Sequence, residues 1–295
     1  MRILVISTIL FSPLIMAVAA GELPTTVAGE WLLRELAAPE IPDTMHHELT
    51  LHGLFTDGMV LQRDRPVPIW GWGPESADIA VSFGDVRASG KVSGRRWSVT
   101  LPALPASSQE RELTVSCGSR GIVLKNVLVG DVWLCTGQSN MQVEMKIDTA
   151  AYPPRAADLE AANNPLVRFY KVDRASSRRP RSDVPTVHDD IYEPWSNAFL
   201  GNQWRPCTKE WAQHVSATAF YFARDIQPRI GCPLGVLVCA RGATSIWHWV
   251  PGDVVREEAC WTDCRQLLDD VESSWPQRVT PLAAEWRTFT DTYPT

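Results

Sequence analysis

Val127-Leu128-Val129-Gly130-Asp131-Val132-Trp133-Leu134-Cys135 is close to continuously apolar and runs straight into Thr136-Gly137-Gln138-Ser139-Asn140. A run of this kind fits a strand covered on both faces in a parallel sheet. Gly235-Val236-Leu237-Val238-Cys239-Ala240 has the same character. Between the two, Trp211, Val215, Ala219, Phe222, Ile226 and Ile230 recur every three or four residues, the period of a helix with one buried stripe. Thr208 can start that helix, and Gly231 with Pro233 can stop it. Strand, helix and strand in this order make a right-handed crossover unit of an α/β sheet. Leu166 to Val172 reads as one further strand.

Upstream, from about 48 to 126, the period changes to two. Val67 and Ile69, then Trp70 and Trp72 after a shift, begin it. Ile79, Val81 and Phe83 continue it, followed by Trp97, Val99 and Leu101, and by Leu113, Val115 and Cys117. Gly73-Pro74, Gly84-Asp85, Gly94 and Pro102 interrupt these runs, as expected of a small antiparallel β-sandwich. Residues 21–47 read as an N-terminal arm or linker. Residues 1–20 combine Arg2, an apolar stretch from Ile3 to Val18 and the small residues Ala17 to Ala20, the pattern of a cleaved signal peptide. That stretch is too short for a membrane span, so the mature chain is expected to be exported and free of the membrane.

The formal net charge of −6 argues against nucleic acid as a partner. The basic cluster Arg174, Arg178, Arg179 and Arg181 lies among Ser and Pro and reads as a solvated loop. Seven cysteines leave at least one without an intrachain partner, and they lack the paired Cys/His spacing of a zinc site. Cys135 and Cys239 fall in the strand-like runs and are expected to behave as small buried hydrophobes.

Ser139 follows directly on the first buried strand. Reactive groups of α/β sheets gather at the carboxyl ends of the strands, and a serine there can offer both a hydroxyl to attack a carbonyl and a backbone N–H to hold the oxyanion. The same tetrapeptide also reads as a polar turn with Ser139 as a helix N-cap. Gly242, after the second strand, can bring an unobstructed N–H beside Ser139, or can simply serve a tight turn. Gln138, Asn140, Thr244, Trp247 and His248 flank these two loops as candidate substrate contacts. Aromatic faces such as those of Trp247 and Trp249 suit sugar rings, although most of the thirteen tryptophans must be core.

Leu54-Phe55-Thr56-Asp57-Gly58-Met59-Val60-Leu61-Gln62-Arg63, Pro66 to Trp72 and Trp97 to Pro102 resemble the N-terminal sandwich of sialate O-acetylesterases. Val127 to Met141 is similar to the nucleophile block of that family. The resemblance spans about residues 48–250 and implies an SGNH-hydrolase-like α/β domain, with a flavodoxin-like parallel sheet, behind the sandwich. It implies a serine esterase acting on acetylated carbohydrate, with Ser139 as nucleophile, a histidine as base and no metal or organic cofactor. The implied oxyanion donors are the backbones of Ser139 and Gly242 and an Asn from a later block. Where the family usually shows Gly-Gly-Thr followed by Glu, this chain has Gly242-Ala243-Thr244 and then Trp247, which puts substrate orientation in question. The family's Trp-x-Gln-Gly-Glu-x-Asn and Asp-x-His blocks do not occur in this sequence. The 127–295 segment is therefore expected to be the N-terminal part of an α/β domain incomplete at its C-terminus. The Asp43/His46 pair precedes the sandwich and breaks the family order, and of the remaining histidines His248 lies nearest the site loop. An acetylxylan esterase and a non-catalytic exported glycan-binding protein stand as alternatives.

Overall fold

The computed structural model describes residues 48–172, 182–184, 202–242, 244, 249–250, 252–257, 260, 262–263 and 265–266. The expected signal peptide and arm, the Asp43/His46 pair, the basic cluster, Trp247 and His248 lie outside them. The chain divides into two compact units, one of residues 44–174 with 183–242, the other of 1–43, 175–182 and 243–295. No helix among the described residues is long and apolar enough to cross a membrane.

The first unit opens with β1 (Thr50–Leu51), β2 (Val60–Gln62), β3 (Val67–Trp72), β4 (Asp78–Phe83), β5 (Val86–Lys91), β6 (Arg96–Leu101) and β7 (Ser107–Cys117). A long strand, β8 (Arg120–Gly137), leads into α1 (Ser139–Gln142), α2 (Met145–Ala151) and α3 (Ala156–Glu160). Then come β9 (Asn163–Lys171), β10 (Trp204–Thr208), α4 (Lys209–Ala212), α5 (Ala217–Ile230) and β11 (Leu234–Ala240). In the second unit lies α6 (Gly252–Glu257).

Two sheets result. One has the order β1-β3-β6, and the other runs β10-β9-β11-β8-β7-β4-β5 with β2 paired to β8. The alternation behaves as expected: Ile79, Val81 and Phe83 point inward from β4, Trp97, Val99 and Leu101 from β6, and Leu113 with Val115 from β7. Trp97 and Trp204 are buried with their indole N–H groups satisfied, by Trp72 O at 2.9 Å and Leu54 O at 2.9 Å. The sandwich and the α/β sheet are not separated by a chain break. β8 spans the expected 126/127 boundary, pairing antiparallel with β7 in its first half and parallel with β11 in its second. β9 lies parallel on the far side of β11, and antiparallel β10 closes that edge.

Three expectations need correction. First, the run ending at Cys135 is not covered on both faces. Trp133 is 48% and Leu134 51% exposed, and no described strand pairs the side of β8 that β2 leaves after Gly130. Second, the single helix expected from Thr208 to Gly231 is two. Met145 N donates to Val215 O and Ala217 N to Val143 O, so the strand-like link after α1 takes over the backbone groups a continuous helix would use. Ser216 restarts the helix, its hydroxyl accepting from Ala219 N at 3.2 Å, a cap worth about 1 kcal/mol. Thr208 precedes α4 but makes no capping bond. Gly231 ends α5 in the left-handed region, φ 64°. Third, Cys135 and Cys239 are half-buried rather than buried. The described cysteines (117, 135, 207, 232, 239 and 260) carry free thiols.

The core under the site packs Met145, Phe169, Ala219, Phe220, Leu234 and Val236 together. The buried stripe of α5 is Ala219, Phe220, Ala223 and Gln227, rotated from the expected one. Gln227 is tolerated there because Asn164 Nδ2 donates to its Oε1 at 2.8 Å and its own Nε2 donates to Cys232 O at 3.3 Å. Phe222 instead packs edge-on against Trp133, ring centroids 5.2 Å apart.

Candidate active site

Residues β8 and β11 run parallel in a register that pairs Val238 with Cys135 and Ala240 with Gly137, so both strands end at the same level. Arg241 N donates to Gly137 O at 2.9 Å and extends the pairing by one step. Gly137 then turns the chain at φ 151°, a conformation side-chain-bearing residues rarely adopt, and Ser139 opens α1 two residues later. Ser139 is exposed. The close approach at Gly242 is explicit: a methyl group there would lie 3.4 Å from Ser139 Oγ and 2.9 Å from Gln142 Oε1. The two loops named from sequence are thus side by side.

Side chains of the described residues bond to backbone groups across this crevice. Gln138 Oε1 accepts from Ser139 Oγ at 2.7 Å and from Ser139 N at 2.8 Å. Gln142 Oε1 accepts from Gly242 N. The exposed Asn140 takes part through its backbone, its carbonyl accepting from Thr218 Oγ1 at 3.1 Å. Thr244 belongs to the other unit, where it is buried and its Oγ1 accepts from Trp249 Nε1 at 3.0 Å. Gln142 was not singled out by sequence. The signal for it is its spacing: three residues after Ser139 on a short helix, it shares the face of that serine.

Below this turn lies an ionic cluster that the sequence reading missed. Glu144 is buried, 7% exposed, and its carboxylate accepts from Lys171 Nζ at 2.6 Å and pairs with Lys146 Nζ at 2.9 Å. Lys171 ends β9, at the same edge of the sheet as Gly137 and Ala240. Lys171 Nζ also donates to His214 O at 3.1 Å, and Lys146 Nζ lies 3.3 Å from His214 Nδ1. Burial alone would raise the Glu144 carboxyl, but hydrogen bonds and charge from Lys171 and then Lys146 outweigh it and hold it below the usual carboxylate range. Burial, and then the Lys146 charge, push the His214 imidazole below its usual value and keep it neutral. His214 is therefore committed to this cluster. Among the described residues no group of His, Cys, Asp and Glu is arranged to hold a metal ion.

With this geometry in view, the comparisons with known proteins are specific. The mouse sialate O-acetylesterase is 29% identical over 211 residues, covering 65% of this chain and 35% of the mouse protein. The human sialate O-acetylesterase is 28% identical over 206 residues, covering 66% of this chain and 37% of the human protein. A crystal structure of a carbohydrate acetylesterase from Xanthomonas citri superposes with a TM-score of 0.60 at 32% identity, over 71% of this chain and 44% of that one. The chain is similar to sialate O-acetylesterases and to a carbohydrate acetylesterase of known structure. No family model matches it. The chain spans about a third of the length of the sialate O-acetylesterases it matches. The mixed sheet with its parallel strands and the separate antiparallel sheet fit the likeness to the carbohydrate acetylesterase.

Proposed function

We propose that this chain carries the nucleophile portion of an exported serine esterase that removes O-acetyl groups from sialic acid or related acetylated glycans. The observation that carries the reading is the approach of Gly242 to Ser139 Oγ at the ends of adjacent parallel strands, in a chain related to carbohydrate acetylesterases. In this reading residues 48–126 are the supporting sandwich, 127–295 the first part of the esterase domain, and residues 1–20 the export signal.

Ser139 Oγ attacks the acetyl carbonyl carbon while its proton passes to a base. The carbonyl oxygen becomes an oxyanion between the N–H groups of Ser139 and Gly242. Collapse expels the sugar oxygen, which takes the proton back, and leaves an acetyl ester on Ser139. Water, deprotonated by the same base, then releases acetate and restores the hydroxyl. Among the described residues no histidine is hydrogen-bonded to Ser139. The histidine and the third, asparagine donor that the family resemblance requires belong to sequence blocks this chain does not contain.

Acetate release from O-acetylated sialoside and from acetylated xylan tests this, comparing wild type with Ser139→Ala. The pair is measured in the 295-residue chain and in the product of the whole open reading frame. In the whole product we expect loss of several orders of magnitude on Ser139→Ala, as when a serine triad is broken. In the 295-residue chain we expect only background release. Glycan binding by residues 48–126, with no Ser139-dependent acetate release from either protein, would replace the esterase reading with a recognition role.

A further inference from the structure

Both donors that an ester carbonyl would need are already engaged by carbonyl oxygens of the protein itself. Gln142 Oε1 accepts from Gly242 N, and Gln138 Oε1 accepts from Ser139 N. A carboxamide oxygen has the same trigonal geometry as an ester carbonyl oxygen, and it is neutral. A methyl on Gly242 would meet both Gln142 Oε1, at 2.9 Å, and Ser139 Oγ, at 3.4 Å, so the Gln142 amide and the Ser139 hydroxyl flank the same backbone position. An ester oxygen accepting from the Gly242 N–H, close to Ser139 Oγ, would therefore compete with Gln142 Oε1 for that donor. The arrangement has a physical reason. A backbone N–H in a crevice costs free energy when it has no partner. A side chain that can swing aside satisfies the donor at rest and yields it at the cost of one exchanged hydrogen bond.

We infer that Gln142 is the resting occupant of the oxyanion seat, a side-chain stand-in for substrate that an entering carbonyl or carboxylate oxygen must displace. The inference rests on the proposed role of Ser139 and Gly242, and it makes Gln142 a positioning residue whose retraction gates entry to the seat. Glutamine suits the task where glutamate would not, because a carboxylate would hold the N–H too strongly to be displaced.

The test reads the Gly242 amide directly. Glycine-selective 15N labelling of the full chain leaves 18 glycine positions, and Gly242→Ala identifies the signal by its loss. In Gln142→Ala the Gly242 proton should move upfield as its hydrogen bond is lost, while glycines of the sandwich stay in place and certify the fold. Acetate, the probe for a carboxylate oxygen, should then bind about two- to tenfold more tightly to Gln142→Ala than to wild type, the worth of one hydrogen bond no longer competed. Gln142→Glu should weaken acetate binding. A Gly242 signal unmoved in Gln142→Ala overturns the inference. So does equal acetate affinity in wild type and Gln142→Ala, or acetate that perturbs Gly242 in none of the three proteins. Failure of the esterase reading shows elsewhere, as acetate release that does not depend on Ser139, and leaves the Gly242 result standing.

Discussion

Replacing Glu144 with glutamine takes one negative charge from beneath the Ser139 turn and leaves two lysine ammonium groups facing a neutral amide. Glu144 is 7% exposed, and the Lys171 side chain that donates to it at 2.6 Å is 13% exposed. The surviving Lys171 charge thus has little access to water. Breaking a buried pair by removing one partner costs about 3–5 kcal/mol, mostly from the charge left behind. Glutamine still offers one acceptor, and Lys146, at 30% exposure, can turn to solvent, which sets the expected loss at the lower end, about 3 kcal/mol. With a urea m-value of about 2 kcal/mol/M, the unfolding midpoint should fall by about 1.5 M. Replacing both partners, Glu144→Leu with Lys171→Met, should recover part of that loss, because no charge is then stranded. A midpoint shift below about 0.5 M for Glu144→Gln, or a double variant as unstable as the two single variants summed, would refute the claim that this cluster is buried and coupled.

Two pH effects follow from the same chemistry. His214 is held neutral in the fold, its pKa lowered by burial and then by Lys146. Below about pH 6.5 the unfolded chain gains a proton that the native state refuses, so stability should fall with pH from there, and His214→Gln should flatten the upper part of that fall. The lowered Glu144 carboxyl adds a further loss at lower pH, beginning near its unfolded value and complete once it is protonated in the fold. At the alkaline end, burial pushes the Cys207 thiol up to about 11. The native state then keeps a proton the unfolded chain has lost, and stability should drop by about 3 kcal/mol between pH 9 and about 11. Chemical denaturation of Cys207→Ala across that range should show a shallower slope, and an unchanged slope would place the thiol in solvent.

What was legible in the sequence, and what was not, divides along local and tertiary causes. Ile79, Val81 and Phe83 alternate because one face of β4 is buried, and that pattern is fixed by the residues themselves. The strand ends at Gly137 and Ala240 were legible because apolar runs stop there and parallel neighbours must align. The break at Ser216 was not, since it depends on Val143 and Met145, some seventy residues earlier, capturing backbone groups that helix periodicity would assign to α4 and α5. Trp133 and Leu134 look buried in sequence for the same reason that they are apolar, but what covers a strand is set by its partners. Gln142 stayed invisible because its bond to Gly242 exists only once β8 and β11 are side by side.

The resemblance in the sandwich gains a mechanical meaning from the contacts of Gln62 and Arg63. Gln62 Oε1 accepts from Val132 N at 3.0 Å, and Arg63 grips Asp131 with two donors, Nε to Oδ1 at 2.7 Å and Nη2 to Oδ2 at 3.1 Å. Both contacts fall on β8 just past the point where its pairing with β2 ends at Gln62–Gly130. There one side of β8 has no described strand beside it, and an unpaired edge is where strand register is least secure. A slip of one residue would carry Gly137 and Ser139 about 3.3 Å along the strand and turn Trp133 and Leu134 to opposite faces. That displacement is as large as the 3.4 Å separating Ser139 Oγ from a methyl position on Gly242, so a single step of register would dissolve the convergence of the two loops. A side-chain amide from the last residue of β2 and a bidentate guanidinium from the residue after it hold β8 on the side where its pairing with β2 ends. The sandwich motif and the serine block are in this sense one device: residues near position 62 fix where residue 139 stands.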